Sequence, residues 1–443
     1  MRNMIPENIK NIMKKLIENK YEAFICGGAV RDLFLHLEPK DWDIFTNATG
    51  EEILRIFPQG KVIGGEERQK KILTVIIDGV EVSQYRNNGD RTNTGNTLEE
   101  HVKTCDFTIN GICMNINEEI IDLVNGEEDL ELGILRFVGK PEDRVKEDSL
   151  RLFRGIRFAT KYDLAIEDRK VFCEHKLYIK DLPKERIRDE LLKIIVLKGG
   201  LRKLDKYNML ETIIPMFGKC KGLNGGHHHG ESVDEHLLLA VDNALKLTNN
   251  PLLLLSIFLH DIGKPDSHEF KEVEDEELDT FYNHQNIGVD YVREWMKEYK
   301  FSEEEILYVS TMIKHHMMGK TSEISNSTFV KICDELEKAK VSPEDMIVLT
   351  YCDNQSNLTR PRLTFNEFIK GNGFIERYYK TKYETKGFNS NCLEINGYDI
   401  INAGFSPGPE IGRIKQIIFE KINEGIVVNR RDRLLELLKE MKE

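Results

Sequence analysis

Asp41 and Asp43 flank Trp42 in the segment PKDWDIFTN. In an extended chain, side chains two apart point to the same face, so the two carboxylates stand together. Two neighbouring anions repel unless a cation lies between them. The run YEAFICGG, upstream of them, ends in Gly27 and Gly28 and reads as a strand that turns into a helix. Such glycines let a backbone approach phosphate oxygens, and the helix start offers free N–H groups. Arg31, one turn into that helix, adds a charged fork. Phosphate on one side and paired carboxylates on the other form a slot for Mg²⁺. Glu81, in GVEVSQYR, is the candidate third carboxylate on an adjacent strand. Two metals held in this way activate an attacking hydroxyl and stabilise a leaving pyrophosphate.

A second constellation lies further along. His260-Asp261 closes the apolar run of SIFLHDIGKP, and a charged pair at the end of a buried helix needs a reason. A histidine from an earlier helix, this doublet and a later aspartate can bind one divalent ion and activate water. The residues assigned are His236 (HHHGESVDEHLLLAVD), His260, Asp261 and Asp353 (TYCDNQSN). His284 and one of His315 or His316 are candidates to line the site or hold a second ion. The first histidines of the run at 227–229 are expected to flank the site rather than coordinate.

The elements that must position these residues fall into several domains, since 443 residues exceed one ordinary core. The hydrophobic fraction of 40% and charged fraction of 31% fit a soluble globular protein. The longest apolar run is too short to span a bilayer, and the N-terminus lacks an apolar signal core. A cytoplasmic protein without membrane association is expected. Eight scattered cysteines without a CxxC pair point to free thiols. The net charge of −13 hides an asymmetry: residues 136–207 carry 20 Lys and Arg against 13 Asp and Glu, leaving −20 for the rest. A basic stretch within an acidic chain can serve a polyanion. Up to residue 137, helix and strand signals alternate, with KDWDIF, ILTVIID and VEVSQYR as strands. Beyond it the periodicity is helical, with an Arg-rich face in LRLFRGIRFA. Residues 269–279 (EFKEVEDEELD) are expected to form an exposed acidic loop.

Together these pieces are specific. GGAVRDLFLHLEPKDWDIFTN resembles the signature of polymerase-β-like nucleotidyltransferases, in the branch of tRNA nucleotidyltransferases (CCA-adding enzymes) and bacterial poly(A) polymerases. CDFTINGICMN (105–115), DRVKEDSLRLFRGIRFA (143–159), LPKERIRDELLKI (182–194) and INGYDIINAGFSPGPEIGRIKQ (395–416) extend the likeness over nearly the whole chain. The second constellation resembles an HD domain. The resemblance implies an α+β fold: a small polymerase-β-like head with a mixed sheet (1–137), then an all-α neck (138–222), an HD body (223–360) and a helical tail (361–443). It implies that Asp41 and Asp43 bind catalytic Mg²⁺ and that Gly27, Gly28 and Arg31 hold the triphosphate. Asp106 approaches the ribose 2′-OH, with Asn110 in the same nucleotide-contacting motif. Asp148 and Arg151, three apart on one helical face, read the edge of C or A. Arg154 and Arg157 continue that face toward phosphates.

The expected activity is addition of CCA to tRNA 3′ ends from CTP and ATP, with neck and tail contacting the acceptor stem and elbow. The alternatives are a poly(A) or A-only adding enzyme, and an HD phosphohydrolase with a reduced head. One departure stands out: Thr104 and Cys105 occupy positions where the family usually carries two arginines, and Gly111 stands where alanine is usual. An arginine lost beside a triphosphate costs roughly 1.5–3 kcal/mol of charge-assisted hydrogen bonding.

Overall fold

The computed structural model describes residues 4–63, 74–87, 90–225, 230–273, 276–318, 323–385 and 387–442. The histidines at 227–229 and the start of the expected strand ILTVIID lie outside the described residues. The chain divides into two compact units: residues 1–190 with 203–212, and residues 191–202 with 213–443. Among the described residues, no helix is long and apolar enough to cross a membrane.

The first unit begins with an amphipathic helix, α1 (Glu7–Glu18), whose Ile9, Ile12, Met13 and Leu16 recur at helical spacing and are all buried. Short runs rich in Ile and Val then form β1 (Phe24–Cys26), β2 (Ile44–Thr46), β3 (Lys61–Ile63), β4 (Thr74–Ile77) and β5 (Val80–Gln84). A separate ribbon pairs β6 (Arg86–Asn87) with β7 (Asp90–Thr94). With β8 (Ile112–Met114) and β9 (Ile120–Asp122), a seven-stranded sheet runs in the order β3-β4-β5-β2-β1-β8-β9. It is mixed: β2 and β5 are parallel, pairing Ile44 with Val82, and the other neighbours are antiparallel. Ile25, Ile44, Val75 and Val82 lie fully inside.

Around the sheet stand α2 (Gly28–Phe34), α3 (Gly50–Ile56), α4 (Leu98–Val102) and α5 (Gly126–Glu131). A reciprocal Thr49–Glu52 box starts α3. Further on, β10 (Ile134–Leu135) and β11 (Ala165–Ile166) form a two-stranded parallel sheet, so this stretch is helical with one small exception. Its helices are α6 (Pro141–Glu147), α7 (Leu150–Lys161), α8 (Arg169–Glu174), α9 (Lys184–Ile195), α10 (Gly200–Lys206), α11 (Met209–Ile213) and α12 (Pro215–Cys220).

The second unit centres on α14 (Pro251–Leu259), apolar on every side, with Leu253 to Leu259 buried throughout. Its packing partners include α13 (Val233–Ala244), α16 (Glu303–His315) and α18 (Pro343–Ser356). α15 (His284–Glu298) packs on α16, and α17 (Asn326–Lys338) follows. Five more helices complete the tail: Phe365–Asn372, Phe374–Thr385, Gly397–Asn402, Pro409–Asn423 and Arg431–Glu440. The expected acidic loop at 269–279 is instead a hairpin of β12 (His268–Val273) and β13 (Glu276–Phe281). At its base His268 lies 2.5 Å from Asp279 and stacks on Phe281, contacts that charge content alone does not announce.

Candidate active site

Residues from separated segments of the first unit line one cleft of about 640 Å³. They include Gly27, Gly28 and Arg31; Asp41 and Asp43; Asp106 and Asn110; and Asp148, Arg151, Arg154 and Arg157. Gly27 makes the turn from β1 to α2 at φ +81°, a conformation that favours glycine, and donates its N–H to Ile112 O at 3.1 Å. Asp41 and Asp43 do not lie within a strand as expected: β2 begins at Ile44, so the pair occupies the segment entering it. The ladder partners of β2 end before them, which leaves both carboxylates free of the sheet. Glu81 is exposed on β5, where the pairing of Ile44 with Val82 sets it beside Asp43. Burial pushes the Asp43 carboxyl up, the charges of Glu81 and then Asp41 push further, and it reaches about 6. Neighbouring carboxylates that raise Asp43 in this way are the oxygen donor set a divalent cation relieves, so the residues fit Mg²⁺.

Arg31 turns into the protein. Its Nε and NH2 donate to Asp32 Oδ1 at 3.0 and 2.7 Å, its NH1 to Asn110 Oδ1, and its guanidinium lies over the Tyr162 ring. Asn110 Nδ2 then donates to Asp106 Oδ1 at 2.8 Å, and Arg154 Nε to Asp106 Oδ2 at 2.6 Å. Burial alone raises the Asp106 carboxyl, but Arg154 and these hydrogen bonds outweigh it and hold it below its usual range. A continuous chain of bonds therefore joins α2 to α7.

Asp148 and Arg151 do not share one helix face. Asp148 is the extended residue between α6 and α7, at φ −155°, and Arg151 is in the first turn of α7. The helical spacing of the sequence runs across this break and conceals it. Arg186, on α9, grips Asp148 with two bonds of 3.2 and 2.7 Å. Arg151 bonds to Glu147 at 2.7 Å, and Arg157 to Glu190 at 2.7 Å. Beside them, buried Arg144 donates to the carbonyls of Thr104 and Cys105, both at 2.8 Å. Arg144, Arg186 and Tyr162 were not singled out from the sequence, because their partners lie far along the chain.

In the second unit, Asp261 is the centre of a buried histidine cluster. Its Oδ1 lies 3.1 Å from His284 Nε2 and 3.2 Å from His316 Nε2. Its Oδ2 lies 3.4 Å from His260 Nε2, 3.8 Å from His236 Nε2 and 2.7 Å from Lys264 Nζ. Asp353 Oδ1 is 3.2 Å from His236 and 3.6 Å from His260. The outer nitrogens are all engaged: His236 Nδ1 by Glu231, and those of His260, His284 and His316 by the carbonyls of Ile257, Phe281 and Ile313. These acceptors place one proton on Nδ1 and turn four Nε2 atoms toward Asp261 and Asp353, the donor set of a divalent transition metal once the ion displaces any proton held on Nε2. The groups His236-His260-Asp261 and Asp261-His284-His316 can each hold an ion. His315 turns away to Glu335 at 2.8 Å, so His316 is the one of the pair that joins the cluster. Burial disfavours the charged imidazole of His260, but Asp261 and Asp353 overcome it and push it up to about 10.

A mixed sheet carrying paired carboxylates on a polar cleft is followed by helices with a histidine–aspartate cluster, and each of these parts matches a family model. Residues 23–136 match the family model "Poly A polymerase head domain", 162–220 "Probable RNA and SrmB- binding site of polymerase A", and 233–348 "HD domain". The Poly(A) polymerase I of Salmonella typhi is 28% identical over 283 residues, 58% of this chain and 60% of that protein. The chain spans about half to three fifths of the length of the poly(A) polymerases it matches. The CCA-adding enzyme of Ligilactobacillus salivarius is 27% identical over 99% of this chain and 98% of its own. The fold resembles that of CCA-adding enzymes throughout. With the Bacillus stearothermophilus CCA-adding enzyme in complex with CTP, the TM-score is 0.71 at 20% identity, covering 100% of this chain and 98% of that one. With the Thermotoga maritima enzyme complexed with tRNA it is 0.61 at 17% identity, covering 100% and 97%.

Proposed function

We propose that this protein is a tRNA nucleotidyltransferase that adds the 3′-terminal CCA to tRNA from CTP and ATP. The observation that carries the reading is the cleft itself, with Asp41 and Asp43 on its wall together with Asp148 and Arg151. The tRNA 3′-oxygen bonds to the α-phosphorus, the bond to pyrophosphate breaks, and the hydroxyl proton passes to solvent. Asp41 and Asp43, with Glu81 adjoining, would hold Mg²⁺, which would supply acidity to the hydroxyl and charge for the leaving pyrophosphate. The carboxylate of Asp148, fixed by Arg186, accepts from the exocyclic amine of C or A, and Arg151 donates to a ring acceptor. U and G present the reverse pattern at these edges and leave polar groups unpaired. Asp106 and Asn110 orient the ribose, and Arg154 and Arg157 line its phosphate side. The organisation is a head (1–137), neck (138–222), HD body (223–360) and tail (361–443), with neck and tail contacting acceptor stem and elbow, in the cytoplasm.

Two other readings have specific support. Poly(A) polymerases are 28–33% identical over 47–58% of this chain, which supports poly(A) or A-only addition as a second reading. The HD cluster supports a metal-dependent phosphoesterase activity in the same chain, at one or two ions held by His236, His260, Asp261, Asp353, His284 and His316. Purified protein, tRNA lacking CCA, Mg²⁺ and labelled CTP or ATP test the main reading. Ordered addition that stops at CCA is expected. Extension with ATP alone assigns an adenylyltransferase, and phosphate-ester cleavage without incorporation assigns the function to the HD cluster.

A further inference from the structure

Five arginines line the cleft: Arg31, Arg86, Arg151, Arg154 and Arg157. Four are committed to carboxylates of the protein, namely Asp32, Glu147, Asp106 and Glu190. Among the described residues no such ion pair engages Arg86, and its Nε is buried without a hydrogen-bond partner. An unmet guanidinium donor beside a polar cleft is costly unless an acceptor arrives from outside.

The backbone of Arg86 is held in place on both sides. Its N–H donates to Nδ1 of His101 at 3.4 Å, and that imidazole is buried, tilted against Phe45 and stacked on Tyr85. Burial, helped by the Arg86 charge, depresses His101 to about 3 and keeps the ring neutral as an acceptor. On the other side, Gly95 passes so close that a Cβ there would lie 2.4 Å from Arg86 O. Arg86 lines the same cleft as Asp41 and Asp43, so its guanidinium belongs to the wall that carries the paired carboxylates. Thr104 and Cys105, where paired arginines are usual in the resembling family, line the same cleft and present no cation.

Resting on the nucleotidyltransferase reading, we infer that Arg86 is a further triphosphate-binding arginine of this cleft, standing in for the arginines absent at 104 and 105. The ligand chemistry is a phosphate oxygen, and the source is the incoming nucleoside triphosphate rather than the RNA backbone.

The test uses the full chain, Mg²⁺, CTP and inorganic tripolyphosphate, with Arg86→Ala, Arg86→Gln and Arg86→Lys. Calorimetric affinity for CTP and for tripolyphosphate, measured without RNA, is expected to fall about 10- to 100-fold in the Ala and Gln variants. The Lys variant should retain part of it, because the charge remains while the fork is lost. In turnover, KM for CTP and ATP should rise together while KM for tRNA stays put. Unchanged tripolyphosphate affinity in a folded Gln variant overturns the assignment, as does a rise in the tRNA KM alone. A wild-type protein that binds neither CTP nor tripolyphosphate refutes the nucleotidyltransferase reading itself, and the role of Arg86 with it.

Discussion

Asp43 and Asp261 are both carboxylates set among other titratable groups, but their surroundings push them in opposite directions. Asp43 is half-buried beside two further anions and is driven up to about 6. Asp261 is more deeply buried, yet Lys264 and His260 hold it well below the usual carboxylate range, against the cost of burial. In the head, Arg86 only partly offsets the anions beside Asp43, whereas the HD cluster places a cation directly against its carboxylate. Loss of an acidic residue should therefore cost activity in the first case and stability in the second.

The largest expected effect follows from the open pair. Asp41→Ala with Asp43→Ala should reduce nucleotide incorporation by about 10³-fold or more, since several kcal/mol of transition-state stabilisation depend on these ligands. Metal-free Tm should hold or rise, and metal analysis of the HD cluster should be unchanged. A large drop in Tm would break the comparison. Next, Asp261→Ala should destabilise the metal-free protein by about 3–5 kcal/mol, because Lys264 is left buried without its partner. Chemical denaturation measures this, and incorporation below the new midpoint should survive. Arg186→Ala should loosen Asp148 and relax the preference for C and A over U and G roughly 10-fold, read as ratios of kcat/KM.

The smallest effect sharpens the contrast through pH. His101 is depressed to about 3 from an ordinary 6.5, so it stays neutral in the fold while the unfolded chain takes up a proton. Stability from this group is complete above 6.5 and falls as pH drops, by about 1.4 kcal/mol per pH unit down to about 3. His101→Gln should flatten that slope in denaturation midpoints measured between pH 7 and 5.

The sequence made the two constellations legible because their residues are local: Gly27-Gly28, Asp41-x-Asp43 and His260-Asp261 each fit within a few positions. Alternating texture likewise pointed to a sheet-bearing head followed by helices. What stayed hidden depends on contacts far apart in the chain. Arg186 meets Asp148 across 38 positions, and Arg144 meets Thr104 across 40. Asp148 interrupts the helix because α6 ends there, a break that continuous apolar spacing masks. His315 and His316 could not be told apart, since adjacent residues at a helix end differ only in which way the last turn faces them.

The parallel pairing of β2 with β5 bears on how this protein tolerates change. Ile44 and Val82, fully buried, lock the two strands side by side and thereby fix where Asp43 stands relative to Glu81. The chain between those strands also includes the turn at Phe57–Gly60 between α3 and β3, whose length does not enter that alignment. Insertions and deletions there can accumulate over evolutionary time without moving the carboxylates. Removal of a single residue between Asp41 and Ile44 has no such latitude.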